Sequence, residues 1–303
     1  MTELTDIQRK ITDFMPNTEL RLWEPMAKHT SFRIGGPAEI MAFPKSPEAL
    51  SELLKISRIL DCNCAILGAG TNVLAPDEGL QGLVICLKDC LDGMERMEGD
   101  KIRVLAGVTM ARAAVFAAGQ GLSGLEFAHG IPGTVGGAVY MNAGAYGGEI
   151  SNVCVSVDVM RKDGSVETLT AEDMEFSYRH SCLEESYGIV ISAVFQLTPK
   201  PEEQIRAQMQ DLMTRRKTSQ PLDLPSAGSA FKRPVGGYAA ALIDDAGLKG
   251  FQIGGAAVSE KHAGFVVNLG SATAKDVRVL LQTVSDKVYE KSQIRLEPEV
   301  RIW

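Results

Sequence analysis

The chain has 303 residues, 45% of them hydrophobic and 23% charged, a composition typical of a globular protein long enough for two domains with separate cores. Its net charge of −7 argues against general nucleic-acid binding, which needs a basic face, so an anionic substrate must be met by a local cluster of Arg and Lys. The opening residues MTELTDIQRKI are polar and charged, no secretory signal is visible, and no apolar run approaches the ~20 residues of a membrane-spanning helix; a cytoplasmic location without membrane partners is expected.

Along the chain, alternation and apolar runs predict strands at 38–43, 65–67, 83–87 and 102–106. They also predict a pair at 153–160 and 166–169 across the turn Lys162-Asp163-Gly164, and a further strand at 189–197. Helical periodicity marks 47–60 and 110–120. Pro199-Lys200-Pro201 punctuates the chain and is the best candidate boundary. Beyond it, helices are expected at 202–216, 238–246 and 274–291, and strands at 251–258, 264–268 and 300–303. The expected fold class is mixed α/β (α+β) in two parts: a first domain over 1–200, with an N-terminal lobe to about residue 62, and a second over 201–303.

Two glycine-rich segments point to a ligand cradle. The first is 130–149, GIPGTVGGAVYMNAGAYGGE, whose glycines are interleaved with Ile131, Val135, Val139, Tyr140 and Met141 rather than with the serines of a linker. Glycine at that density exposes backbone N–H groups and permits close approach to a flat or phosphorylated ligand. The second is Gly68-Ala69-Gly70-Thr71-Asn72, a turn after a short apolar strand, suited to a pyrophosphate. It is neither a dinucleotide-binding G-x-G-x-x-G, because Val73 stands at the third glycine, nor a P-loop. The cysteines (Cys62, Cys64, Cys86, Cys90, Cys154, Cys182) have no metal-knuckle spacing and the histidines (His29, His129, His180, His262) do not cluster. Reduced thiols and no metal are expected.

Three polar positions stand out, each with a plainer alternative. Ser229 precedes Lys232 and Arg233, which suits a proton donor beside an anion site, although an isolated serine is more often a turn residue. The guanidinium of Arg179, after Tyr178, suits a carboxylate, with an ion pair to Glu184 or Glu185 as the structural alternative. In the terminal strand, alternation puts Glu297, Glu299 and Arg301 on one face and Val300 and Ile302 on the other. That polar face either serves chemistry or merely meets water.

Taken in order, Thr30-Ser31-Phe32-Arg33-Ile34-Gly35-Gly36, Leu67-Gly68-Ala69-Gly70-Thr71-Asn72-Val73-Leu74, 130–149, Tyr178-Arg179, Ala227-Gly228-Ser229-Ala230-Phe231-Lys232, Gln252-Ile253-Gly254-Gly255-Ala256-Ala257 and Glu297-Pro298-Glu299-Val300-Arg301 span nearly the whole chain. With them the chain resembles the UDP-N-acetylenolpyruvoylglucosamine reductase family of peptidoglycan synthesis. The resemblance implies a vanillyl-alcohol-oxidase-type (PCMH-type) FAD-binding domain followed by a smaller substrate-binding domain, with the terminal strand returning to the active site. It implies tightly bound, non-covalent FAD, NADPH as hydride donor, a sugar nucleotide as substrate, and a monomer or weak oligomer. It assigns catalysis to Ser229 as proton donor, Arg179 as activator of the substrate carboxylate, and Glu299, acting protonated. Gly68, Gly70, Thr71, Asn72, Pro132, Gly133, Gly137, Asn142, Gly144 and Arg301 match cofactor contacts; Tyr178, Lys232 and Arg233 match substrate contacts. His29 and Arg233 stand where many or some members carry Asn. The short junction after Pro199 matches the branch lacking a long tyrosine-bearing loop. Another FAD-dependent oxidase or dehydrogenase of the same fold is the alternative reading.

Overall fold

The structure of the chain is a computed structural model that describes residues 4–303; residues 1–3, where the expected N-terminal lobe begins, lie outside the described residues. The elements follow local signals. Thr5 and Gln8 form a capping box that starts α1 (Asp6–Phe14), and β1 (Glu19–Pro25) and β2 (Pro37–Phe43) follow. Ser46 accepts from Ala49 N, and Pro47 occupies the first turn of α2 (Pro47–Ile59). Then come β3 (Cys64–Leu67), β4 (Val73–Leu74), β5 (Leu80–Cys86), β6 (Met94–Met97), β7 (Lys101–Leu105), α3 (Met110–Gly119) and β8 (Leu122–Ser123). The glycine-rich stretch holds α4 (Val135–Tyr140) and the hairpin β9 (Gly144–Ala145)–β10 (Gly148–Glu149). Next are β11 (Cys154–Met160), β12 (Val166–Thr170), α5 (Leu183–Ser186), β13 (Ile189–Gln196), β14 (Thr198–Pro199) and α6 (Glu202–Ser219). The chain ends through β15 (Ser226–Ser229), α7 (Ala239–Asp245), β16 (Gln252–Ile253), β17 (Ala256–Val258), β18 (Phe265–Asn268), α8 (Ala274–Ser292) and β19 (Arg301–Ile302).

These elements form two compact units, neither of them one continuous stretch. The first comprises the chain through Leu22, Glu39–Ala69 and Gln81–Arg215; the second comprises Trp23–Ala38, Gly70–Leu80 and Arg216–Trp303. The prolines at 199 and 201 do not separate them, because the first unit runs on through α6 to Arg215.

In the first unit, a four-stranded sheet of order β1-β2-β5-β3 packs Ile40, Leu83 and Ile85 against Leu50 and Leu53 of α2 and Ile11 of α1. There β3 and β5 are parallel, Leu67 opposite Cys86, which delivers the chain to Gly68. An antiparallel sheet of order β12-β11-β13-β7-β6 buries Val104, Val157 and Phe195 with Ala113, Ala117 and Val139 of α3 and α4. Each large side chain taken from water in this way contributes about 1.5–3 kcal/mol.

In the second unit, α8 lies on the antiparallel sheet β15-β18-β17-β16. Val277, Leu280, Leu281, Val284 and Val288 face a core that includes Phe231, Val258 and Val266. The expected strand over 251–258 is instead a hairpin: Gln252 pairs with Ala257 and Ile253 with Ala256 around Gly254-Gly255. A Cβ on Gly255 would meet the Ala272 Cα at 2.7 Å, so the glycine pair that interrupts the strand also admits the chain leading into α8.

Candidate active site

In the first unit the glycine-rich stretch is not an open loop. The N–H groups of Val135 and Gly136 donate to Val108 O and Ala106 O at 2.8 and 2.9 Å, and that of Gly137 to Thr134 Oγ1 at 3.4 Å. The idea of a row of free donors therefore needs correction, since the first turn of α4 is spent on its own fold. What glycine provides is approach: a Cβ on Gly68 would lie 2.6 Å from Thr134 Oγ1, so only glycine lets the turn after β3 rest against the start of α4. Asn142 is 1% exposed, and its amide donates to Ser177 O (3.0 Å) and accepts from Ser151 N (2.9 Å). Its side chain thus ties the glycine stretch to the turn that carries Tyr178 and Arg179.

That turn is closed by reciprocal backbone bonds between Ser177 and His180, at 3.1 and 3.2 Å. Arg179 sits in it with φ of +58°, a left-handed conformation that costs a non-glycine residue about 1–2 kcal/mol. Backbone strain of this kind concentrates where geometry serves function. The Arg179 guanidinium donates to Gly144 O at 3.3 Å and lies 5.4 Å from the Tyr178 ring centroid. Arg179, Tyr178, Asn142 and Gly144 are thereby brought together. Glu185 bonds His180 at 2.9 Å, and that bond holds the His180 imidazole above its usual range.

In the second unit the terminal segment threads between two others. Phe231 bridges Pro298, Lys232 N donates to Glu297 O (2.8 Å) and Glu299 N donates to Ala230 O (2.9 Å). On its other side β19 runs parallel to β4, Val73 opposite Arg301, while Asn72 Nδ2 donates to Glu299 O at 3.0 Å. This register sets Glu299 one step from Ser229 and ties Asn72 to Glu299 and, through Arg301 N donating to Asn72 O at 3.0 Å, to Arg301. Glu299 is 9% exposed whereas Ile302 is 47% exposed. Simple alternation over 297–302 does not hold, because the chain bends at Val300 and only Arg301 and Ile302 are strand, so the adjacent Glu299 and Val300 are both buried. Lys232 pairs with Glu297 at 2.5 Å, and the Arg233 guanidinium stacks over the Tyr238 ring at 4.5 Å.

Of the remaining positions, Gly70 approaches His29: its carbonyl accepts from Ser31 N at 3.0 Å, and a Cβ there would stand 3.0 Å from Thr30 Cα. Met110 N donates to Gly133 O at 3.0 Å, and Pro132 is exposed. Ser229 and Glu299 belong to the second unit and Arg179 to the first; Gly68 lies in the first unit, and Gly70, Thr71 and Asn72 in the second. A groove of about 570 Å³ in the second unit, lined by Lys275, Arg278, Leu281, Leu296 and Pro298, contains none of these candidate side chains.

Sequence reasoning passed over two residues. Among the described residues, His129 Nδ1 and Gln220 Oε1 are buried polar atoms without a hydrogen-bond partner; nothing in the spacing of a single His or Gln announces that. The thiols are no substitute for a catalytic group: burial pushes Cys86 up to about 11 and Cys154 up to about 12, so both are neutral near pH 7. Among the described residues no three His, Cys, Asp or Glu side chains are grouped to hold a metal ion, and no helix is long and apolar enough to cross a membrane.

Residues 38–170 match the FAD binding domain family. The fold has neighbours such as the berberine-bridge-enzyme-like protein 1 of Physcomitrella patens (TM-score 0.51, 14% identity, 64% of this chain and 45% of that one), a likeness of fold alone. The orphaned His129 Nδ1 and the glycine-dependent turn at Gly68 fit such a cofactor. The chain is an FAD-dependent oxidoreductase with a vanillyl-alcohol-oxidase-type fold. Residues 220–303 match the UDP-N-acetylenolpyruvoylglucosamine reductase C-terminal domain. The UDP-N-acetylenolpyruvoylglucosamine reductase of Agathobacter rectalis is 46% identical over 97% of both chains; that of Bacillus subtilis (strain 168) is 45% identical over 92% of both. The crystal structure of UDP-N-acetylenolpyruvylglucosamine reductase from Thermus caldophilus superposes with a TM-score of 0.79 at 36% identity, over 95% of this chain and 99% of that one. The chain belongs to the UDP-N-acetylenolpyruvoylglucosamine reductase family, flavoproteins of peptidoglycan synthesis.

Proposed function

We propose that the chain reduces UDP-N-acetylglucosamine enolpyruvate to UDP-N-acetylmuramate with NADPH as hydride donor, in the cytoplasm, and that its C-terminal third binds the sugar nucleotide. The observation that carries this reading is the pairing that holds Glu299, buried, one register step from Ser229 with the Asn72 amide on its carbonyl. The name shared by the relatives supports the substrate.

FAD, which the turn at Gly68 and the glycine-rich stretch 130–149 would hold, would when bound supply the redox chemistry that connects NADPH to the terminal vinyl carbon of the substrate. The chain must do the rest. An enol ether is a poor electrophile, and hydride arriving at its vinyl carbon pushes negative charge through the α-carbon into the carboxylate. Arg179, held in a strained turn, meets that charge with a planar pair of donors that strengthens as the charge develops. The Ser229 hydroxyl gives its proton to the α-carbon, so that one hydride and one proton convert the vinyl group into a CH–CH₃ unit and leave NADP⁺. Glu299 in its protonated form is a further donor beside the reacting carbons. Lys232 and Arg233 meet the diphosphate. The Lys232–Glu297 pair is no obstacle, because both side chains are partly exposed and such pairs are worth only about 0–1 kcal/mol.

The test is an anaerobic visible spectrum in two steps. NADPH should bleach the flavin band of the parent and of Ser229→Ala alike. The enolpyruvyl compound should then restore it in the parent, and do so slower by on the order of 10²–10⁴ in the variant, the usual worth of a positioned acid. Equal loss of both steps in Ser229→Ala would make Ser229 structural. A parent band that the compound cannot restore would mean a different acceptor.

A further inference from the structure

His129 lies where its unpaired nitrogen has a cause. It closes the short 3₁₀ turn Glu126–Ala128, with φ −56° and ψ −37°, and immediately precedes the glycine-rich stretch within the residues that match the FAD binding domain. Other contacts tie the turn in place. The Glu126 carboxylate accepts from Ser123 Oγ (2.5 Å) and Gly124 N (2.7 Å). Phe127 packs so tightly under the β9–β10 hairpin that a Cβ on Gly148 would come within 2.6 Å of its ring. Ile131 N donates back to Ala128 O at 3.0 Å. His129 as a residue is half-buried, but its Nδ1 atom is buried, and among the described residues nothing meets that atom. Leaving a buried polar group unsatisfied is unfavourable enough that native proteins almost always provide a partner.

We propose that His129 Nδ1 is a hydrogen-bonding contact to bound FAD. FAD offers acceptors in its phosphates and ring carbonyls and donors in its ribityl hydroxyls and ring N–H, so either tautomer of the imidazole finds a complement. The rival partner is a buried water, which would satisfy Nδ1 equally well with no bearing on the cofactor.

His129→Phe keeps the ring and removes the nitrogen; His129→Asn keeps a polar atom near the Nδ1 position. FAD is titrated into deflavinated protein and followed by flavin fluorescence, and the thermal midpoint is measured without FAD. The Phe variant should bind FAD about tenfold more weakly, the loss of one hydrogen bond (about 1.4 kcal/mol). Its midpoint without FAD should be unchanged or higher, since an unsatisfied group has been removed. The Asn variant should recover most of the affinity. An FAD affinity within about twofold of the parent in the Phe variant would assign the nitrogen to water and overturn the proposal. A midpoint without FAD that falls in both variants, with affinity falling in parallel, would make His129 structural and also overturn it. Failure of the parent to bind FAD at all is a separate outcome, which would overturn the cofactor itself along with this contact.

Discussion

Replacing Gly70 with alanine should destabilise the second unit by about 2–3 kcal/mol, and the size can be built from two independent terms. Gly70 has φ of +61°, which costs an L-residue about 1–2 kcal/mol. The new Cβ would fall well inside contact distance of the His29 carbonyl oxygen and 3.0 Å from both the His29 carbonyl carbon and Thr30 Cα. These are backbone atoms that cannot rotate away as a flexible side chain would. Relief requires opening the Ser31 N to Gly70 O bond at 3.0 Å, worth about 1 kcal/mol, and displacing the turn expected to face the pyrophosphate. Gly99→Ala is the matched control: φ there is +70° and no atom lies within 4 Å of its Cβ position, so only the dihedral cost of about 1–2 kcal/mol remains. Urea unfolding of both variants without FAD, with FAD affinity measured in parallel, gives the comparison. Gly70→Ala should lose more stability than Gly99→Ala and should alone weaken FAD. Equal losses, with FAD binding intact, would refute the close approach of Gly70 to His29 as the reason for glycine at this position.

Asn72→Ala removes the donor to Glu299 O and leaves that carbonyl wanting; about 1–2 kcal/mol of stability should be lost in urea unfolding, and an unchanged midpoint would mean the bond holds nothing. His262 supplies a pH dependence. Burial, aided by Lys249, pulls its imidazole below the ordinary 6.5 although a local backbone bond opposes this, so the folded protein holds the ring neutral where the unfolded chain has taken up a proton. Its contribution is therefore present above about pH 6.5 and is lost as pH falls through the lower folded value. Parent protein should lose more stability than His262→Gln between about pH 7.5 and about pH 5.5, and parallel losses would assign the acid sensitivity elsewhere.

Much of the secondary structure was legible because its signals are local. Ser46-Pro47 starts α2, the apolar spacing of Val277, Leu280, Leu281, Val284 and Val288 marks α8, and Lys162-Asp163-Gly164 turns between β11 and β12. The glycine-rich stretch was harder. Its composition favours a loop, but Thr134 caps a short helix in it, and packing of Val135 and Val139 in the core outweighs the poor helix propensity of Gly136 and Gly137. The hairpin inside 251–258 was missed because an apolar run looks the same with or without a glycine pair that reverses it.

By itself the sequence determined which elements form, that an acidic chain must meet an anion locally, and, through the order of its motifs, the family and hence FAD. Only the tertiary structure decided that 23–38 and 70–80 pack with the C-terminal third, that Asn72 reaches Glu299, and that Glu299 is buried while Ile302 is exposed. The physical reason is range. Propensity, capping and periodicity act over a few residues, whereas the edge on which a terminal strand docks is set by hydrogen bonds between segments far apart in the chain, and these leave no periodic trace in either segment. A buried nitrogen such as that of His129 is further still from the sequence's reach, because its lack of a partner is a property of everything packed around it.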